Sequence, residues 1–208
     1  MANQYLGATA DHEPVNRRQG SARMTQPNLL HSIIEYSLKE ELDATWAAQP
    51  IAMARHWDRA VLVLEDPGGA PLDQLCSLPL DLAFSLRLAI GLSSAIDHLH
   101  QRGIIHKDIK PANVLVNSVT GQCWLRGFAI ASRLPRERQS AEPPECIAGT
   151  LAYMAPEQTG RMNRSIDSRS DLYALGVTLY EMLTGSLPFT ATDPMERVPS
   201  RPDHFHKQ

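Results

Sequence analysis

The first 38 residues contain no lysine, and before Gly68 the only glycines are Gly7 and Gly20. A loop that cradles phosphate on backbone N–H groups needs several closely spaced glycines, so none can form in this stretch. Cysteine is also scarce. Cys76, Cys123 and Cys146 are odd in number and form no CxxC pair, which argues against a disulfide framework or a zinc site and leaves ordinary thiols. No long Lys/Arg run accompanies the net charge of -3, so a nucleic-acid partner is not expected. Long hydrophobic runs are absent too, because charged residues interrupt the apolar stretches within about ten positions, shorter than a bilayer requires. The opening MANQYLGATADHEPVNRRQG has no secretory apolar region. These absences predict a cytoplasmic chain with no membrane span.

What is present suffices for one core: 208 residues, 43% hydrophobic and 21% charged. Residues 1–27 are polar and aperiodic, and are expected to be a poorly ordered arm. From Asn28 to Leu42, Leu29, Leu30, Ile33, Ile34, Leu38 and Leu42 recur at helical spacing, with Glu35, Glu40 and Glu41 on other faces. Ile51–Arg55 and Ala60–Leu64 read as short strands, followed by a turn-rich link from Glu65 to Gly69. Asp81 can cap a helix running to Gln101, whose stripe of Leu82, Leu86, Ala89, Ile90, Ala95, Ile96 and Leu99 should be buried. Val114–Val116 and Cys123–Leu125 form a hairpin around SVTGQ, and Leu172–Leu183, apolar nearly all round, belongs in the interior.

Between the long helix and the hairpin lies IIHKDIKPANVLVN, which sets Asp108, Lys110 and Asn113 at fixed spacing. With His106 and Lys107 these residues match HRDxKxxN, lysine replacing arginine, and so the chain resembles eukaryotic-type Ser/Thr protein kinases. GTLAYMAPE, from Gly149 to Glu157, is similar to the segment that closes the family's activation loop. SDLYALGVTLYEMLTGSLPF is similar to its central helix, with Asp171 and Gly176 near the start and Leu187, Pro188 and Phe189 at the exit. More narrowly, the run from Ile104 together with GTLAYMAPEQTGRMNRSIDSRSDLYALGVTLYEMLTG resembles the N-terminal kinase-like module of large bacterial sensor histidine kinases, a two-component signalling setting.

The resemblance implies an α+β, protein-kinase-like fold. Its small lobe would be incomplete, with a few strands and one helix over residues 28–66; the mainly helical large lobe, residues 67–190, would lack its last helices. Residues 191–208 would be a tail, and the chain reads as truncated at both ends. The family reaction moves the γ-phosphoryl group of ATP to a protein hydroxyl with Mg2+. By resemblance Asp108 is the base, Lys110 neutralises the phosphoryl group, Thr150 braces both, and Asn113 is a metal ligand. Glu35, Leu64, Glu65 and Leu115 fall at nucleotide-binding positions. The implied partners are a nucleotide and a protein substrate or a partner signalling domain.

Four departures lower the expected catalysis. Gly127, in LRGFAIAS, stands where the family has its magnesium-binding aspartate. Glu35 has no upstream lysine to pair with, and no glycine-rich loop can roof the phosphates. Pro67, in the link, has no N–H to offer an adenine ring. The implied outcome is a strongly reduced kinase, with a pseudokinase scaffold or a non-functional fragment as alternatives. Lys107 grips a phosphate less well than arginine, so switching through Ser140 or Thr150 is not favoured. Glu157 lacks the late arginine that pairs with it in the family and is expected to be exposed or unpaired, destabilising the large lobe. His106 reads as a structural anchor, and His98 and His100 as residues on different helix faces rather than a metal pair.

Overall fold

The computed structural model describes residues 23–25, 29–56, 59–75, 80–134, 150–159 and 165–189. Outside them lie most of the 1–27 arm, Trp57, Cys76, the segment 135–149 with Ser140, Cys146 and Gly149, the arginines Arg161 and Arg164, and the 191–208 tail. Strand β1 (Arg23–Thr25) pairs antiparallel with β3, aligning Met24 with Val63, so part of the expected arm is a strand. The free edge of β3 (Arg59–Leu64) explains this, because its unpaired backbone groups must find partners if they are to leave water. On its other edge β3 pairs with β2 (Pro50–His56), giving a three-stranded sheet in the order β1-β3-β2 with an irregularity between Pro50 and Ala52.

Helix α1 (Leu29–Ser37) packs on β2 and β3 and is shorter than its periodicity predicts. Its buried positions are Ser32 and Glu35, three apart on one face, whereas Leu29, Leu30 and Ile33 are more than half exposed. The expected apolar stripe therefore points outward along the helix. Only Leu38 and Leu42, in the turns beyond it, reach the core. The chain then passes Trp46, whose ring stacks on His98 and lies under the Arg102 guanidinium, 5.4 Å from its centroid.

The link after β3 is anchored where the Glu65 amide donates to the Gln49 carbonyl at 2.7 Å. Gly69, at φ +99°, lies so close to the Val116 backbone that a Cβ would stand 2.5 Å from the Val116 carbonyl oxygen. Only glycine can occupy that position without moving that backbone. β4 (Ala70–Pro71) then joins β6 (Val114–Val116) and β7 (Cys123–Leu125) in a second sheet. The hairpin that the sequence predicts is present, with Val114 paired to Leu125 and Val116 to Cys123. Its turn is built by Asn117, which accepts from the amides of Val119 and Thr120.

Helix α2 (Leu82–Gln101) begins as expected at Asp81, whose carboxylate accepts from the Phe84 amide at 3.1 Å. Its buried stripe is Ser85, Leu88, Leu92, Ala95, Ile96 and Leu99, while Leu82, Leu86 and Ile90 lie exposed on the opposite side. By length and composition α2 could cross a membrane, but its buried stripe belongs to the central core. Helix α3 (Ser168–Thr184) packs on α2 and ends at Gly185, which adopts the left-handed conformation typical of a helix cap. Leu172, Tyr180 and Leu183 are exposed, so α3 is not buried all round, since its neighbours among the described residues cover one side only. Strand β5 (Ile104–Ile105) pairs with β8 (Ser132–Arg133) and delivers the chain into the loop that follows. Around it Leu99, Ile104, Ile109, Leu125 and Phe128 are fully buried, each contributing roughly 1.5–3 kcal/mol of apolar burial.

Candidate active site

The loop after β5 is shaped from beneath by Asp171, in the first turn of α3. One carboxylate oxygen accepts from the His106 amide at 2.9 Å and from His100 Nε2 at 2.8 Å, and the other accepts from the Lys107 amide at 2.8 Å. These bonds hold Lys107 at φ +68°, a region that non-glycine residues seldom enter. His106 is fully buried, and burial pushes its pKa down, so the neutral ring is the stable form. Its Nδ1 accepts from the Asp108 amide at 3.2 Å, which fixes the proton on Nε2, the donor to the Arg126 carbonyl at 3.1 Å. The ring also packs on Phe128 at 4.8 Å, tying the loop to the segment after β7.

On this base stand four predicted residues, brought into one network. Lys110 Nζ donates to Asp108 Oδ2 at 2.7 Å and to Thr150 Oγ1 at 2.6 Å. The Thr150 amide donates to Asp108 Oδ1 at 3.1 Å. Asn113 Nδ2 donates to the Asp108 carbonyl at 2.8 Å and to its Oδ2 at 2.9 Å. Asp108 and Lys110 are partly exposed, so a hydroxyl can approach the carboxylate from solvent while an ammonium stands beside it. That pairing can accept a proton and stabilise charge developing on a transferred phosphoryl group.

Gly127 sits beside the network at φ +80°, where a Cβ would lie 2.7 Å from Asn113 Oδ1 and 2.8 Å from its Cγ. The Asn113 amide therefore fills the place where a side chain at 127 would begin. Glu35 reaches the same spot from α1: it is almost fully buried and faces the backbone amides of Phe128 and Gly127. Its Oε1 has no hydrogen-bond partner among the described residues. The nearest lysine in sequence, Lys39, turns instead to the Ile51 carbonyl at 3.2 Å. Burial is the main cause of a raised Glu35 pKa, only partly offset by the two amides and the Arg126 charge.

The sign of the linkage is then set. Folding favours the protonated Glu35, so its contribution is full below the ordinary carboxylate value of 4.5 and is lost as pH rises through the higher folded value. Glu35→Gln should raise the thermal midpoint above that window by a few degrees, roughly the effect of 1 kcal/mol, and leave it nearly unchanged near pH 4. Melting curves at the two pH values check this, and equal shifts at both would contradict it.

The other expected nucleotide positions make no bond to this network among the described residues. Leu115 is buried with Ala48 and Trp124, Leu64 ends β3, and Glu65 is held by Gln49. His98 and His100 serve Trp46 and Asp171 separately. Burial also raises the Cys123 thiol to about 11, so it stays protonated and unreactive.

Several supporting residues escape motif reading. Gln158 accepts from the Ala155 amide at 3.0 Å and donates to the Lys107 carbonyl at 2.9 Å. Glu157 is not left alone: Ser170 Oγ donates to its carboxylate at 2.8 Å, correcting the expectation of an unpaired group. A serine one residue before the buried Asp171 was the available signal. Arg126 donates through Nε and Nη2 to the Ala112 carbonyl at 3.0 and 2.8 Å, and its amide donates to the Asn113 carbonyl at 3.0 Å.

A protein-family profile described as Protein kinase domain matches residues 21–206. Among curated proteins the chain is 42% identical to Serine/threonine-protein kinase PknB of Mycobacterium tuberculosis over 101 residues, 49% of this chain and 16% of that protein. It is 37% identical to Serine/threonine-protein kinase Pkn1 of Myxococcus xanthus over 134 residues, covering 63% of this chain and 19% of the relative. For PknB of Mycobacterium leprae the identity is 35% over 136 residues, 64% of this chain and 21% of the other. The matched regions thus span about a fifth or less of those relatives.

Proposed function

The chain belongs to the protein kinase domain family, and from that premise we propose that it is a kinase-like signalling module with strongly reduced phosphoryl transfer. The reading is carried by one contrast. Asp108, Lys110, Asn113 and Thr150 are joined by hydrogen bonds, while Gly127 offers no carboxylate and Glu35 has no lysine partner among the described residues.

In the proposed reaction a Ser or Thr hydroxyl oxygen of a protein substrate bonds to the γ-phosphorus of ATP as the bond to the β–γ bridging oxygen breaks. ADP leaves, and the hydroxyl proton passes to Asp108. Lys110 faces the phosphoryl charge, Thr150 holds the Asp108–Lys110 pair in place, and Leu64, Glu65 and Leu115 border the adenine. Each missing electrostatic contact costs about 100-fold or more in rate, and such losses do not simply add. A second reading, an inactive scaffold whose large lobe binds a partner signalling domain, is favoured by Gly127. A cytoplasmic site of action and the sensor histidine kinase setting belong to this proposal too.

Labelled ATP incubated with the chain and a general protein substrate should give slow incorporation that Asp108→Asn abolishes. Incorporation equal in the two proteins would remove Asp108 from the chemistry. None in either would leave the scaffold reading.

A further inference from the structure

We infer that this site takes its nucleotide without a divalent cation; the inference rests on the nucleotide reading above and goes beyond it. Magnesium needs near-octahedral oxygen ligands and is anchored to proteins through one or two carboxylates. Three groups could serve, and none of them offers a free carboxylate.

Asn113 brings only a neutral amide oxygen, because its Nδ2 end is fixed as the donor to Asp108. Its Nδ2 must be the atom facing the Asp108 carbonyl, because a carbonyl only accepts, so its single neutral oxygen is turned toward Gly127. Asp108 has both oxygens engaged, Oδ2 by the Lys110 ammonium and Asn113, Oδ1 by the Thr150 amide. A cation entering there would stand beside Lys110 and lose the charge balance it requires. Glu35 is buried behind the amides of Gly127 and Phe128, with desolvation opposing its ionised form.

Among the described residues no group of three or more His, Cys, Asp or Glu side chains could hold a metal. Gly127 is also not a position that a ligand could simply refill. A Cβ there would meet Asn113 Oδ1 at 2.7 Å, at a φ of +80° that side chains rarely adopt. Phosphate charge is left to the side-chain cations of the loop. Lys110 is held by Asp108 and Thr150, and the Arg126 guanidinium is anchored on the Ala112 carbonyl.

Calorimetric titration of ATP into the full chain, first with EDTA and then with excess Mg2+ or Mn2+, tests the inference. Dissociation constants should agree within about threefold across the three conditions. Tightening of about tenfold or more with either metal would overturn the inference while leaving nucleotide binding intact. No binding at millimolar ATP under any condition would overturn both. Electron paramagnetic resonance of Mn2+ with ATP and protein gives a separate readout: a signal identical to Mn2+–ATP alone supports the inference, and a new protein-bound signal sinks it.

Discussion

Asp171→Ala is expected to destabilise the chain by about 3–5 kcal/mol, a large share of the roughly 5–15 kcal/mol by which single domains are stable. The carboxylate is fully buried, and its oxygens accept from the amides of His106 and Lys107 and from the His100 ring. Truncation leaves those donors facing apolar surroundings, and Lys107 loses the bond that holds it at φ +68°. Asp171→Asn keeps the shape but presents an N–H where an acceptor is needed, so about half the loss should persist. Urea unfolding followed by circular dichroism measures both variants. A loss below about 1 kcal/mol for alanine would show that the loop does not depend on this anchor.

The second large effect lies at Gly127. Gly127→Ala should cost about 2–3 kcal/mol, because a left-handed backbone penalises any Cβ and because the new carbon strikes the Asn113 amide. If the collision matters, the same substitution in an Asn113→Ala background should cost about 1 kcal/mol less. That coupling separates steric conflict from backbone strain. Additivity within about 0.5 kcal/mol would mean that the backbone alone resists a side chain at this position.

Local chemistry made much of the fold legible. Asp81 announced the start of α2, and the short apolar runs on either side of SVTGQ announced the hairpin. The loop after β5 was readable because Asp108, Lys110 and Asn113 lie at short sequence separation, where spacing alone brings them together. What escaped depends on distant partners. The leucines of α1 have helical periodicity, but periodicity does not say which face the sheet covers, and Ser32 and Glu35 turned out to be inside. Likewise the exposed Leu82, Leu86 and Ile90 share a helix with the buried Leu88 and Leu92, and hydropathy cannot separate two apolar faces. Strand β1 is too short to show a pattern of its own and exists because β3 has an edge to offer.

The segment from Ala44 to Ala48 carries a mechanical consequence. The Trp124 indole donates to the Ala44 carbonyl, the Leu125 amide to Trp46, and the Ala48 amide to Leu125, each at 2.9 Å. The stretch following α1 is thereby stitched to β7, in parallel with the covalent link from Glu65 to Gly69. A joint spanned by two separate tethers has less freedom to swing than the covalent link alone would allow. Any motion that pulls the Ala44–Ala48 stretch away from β7 has to break all three bonds together.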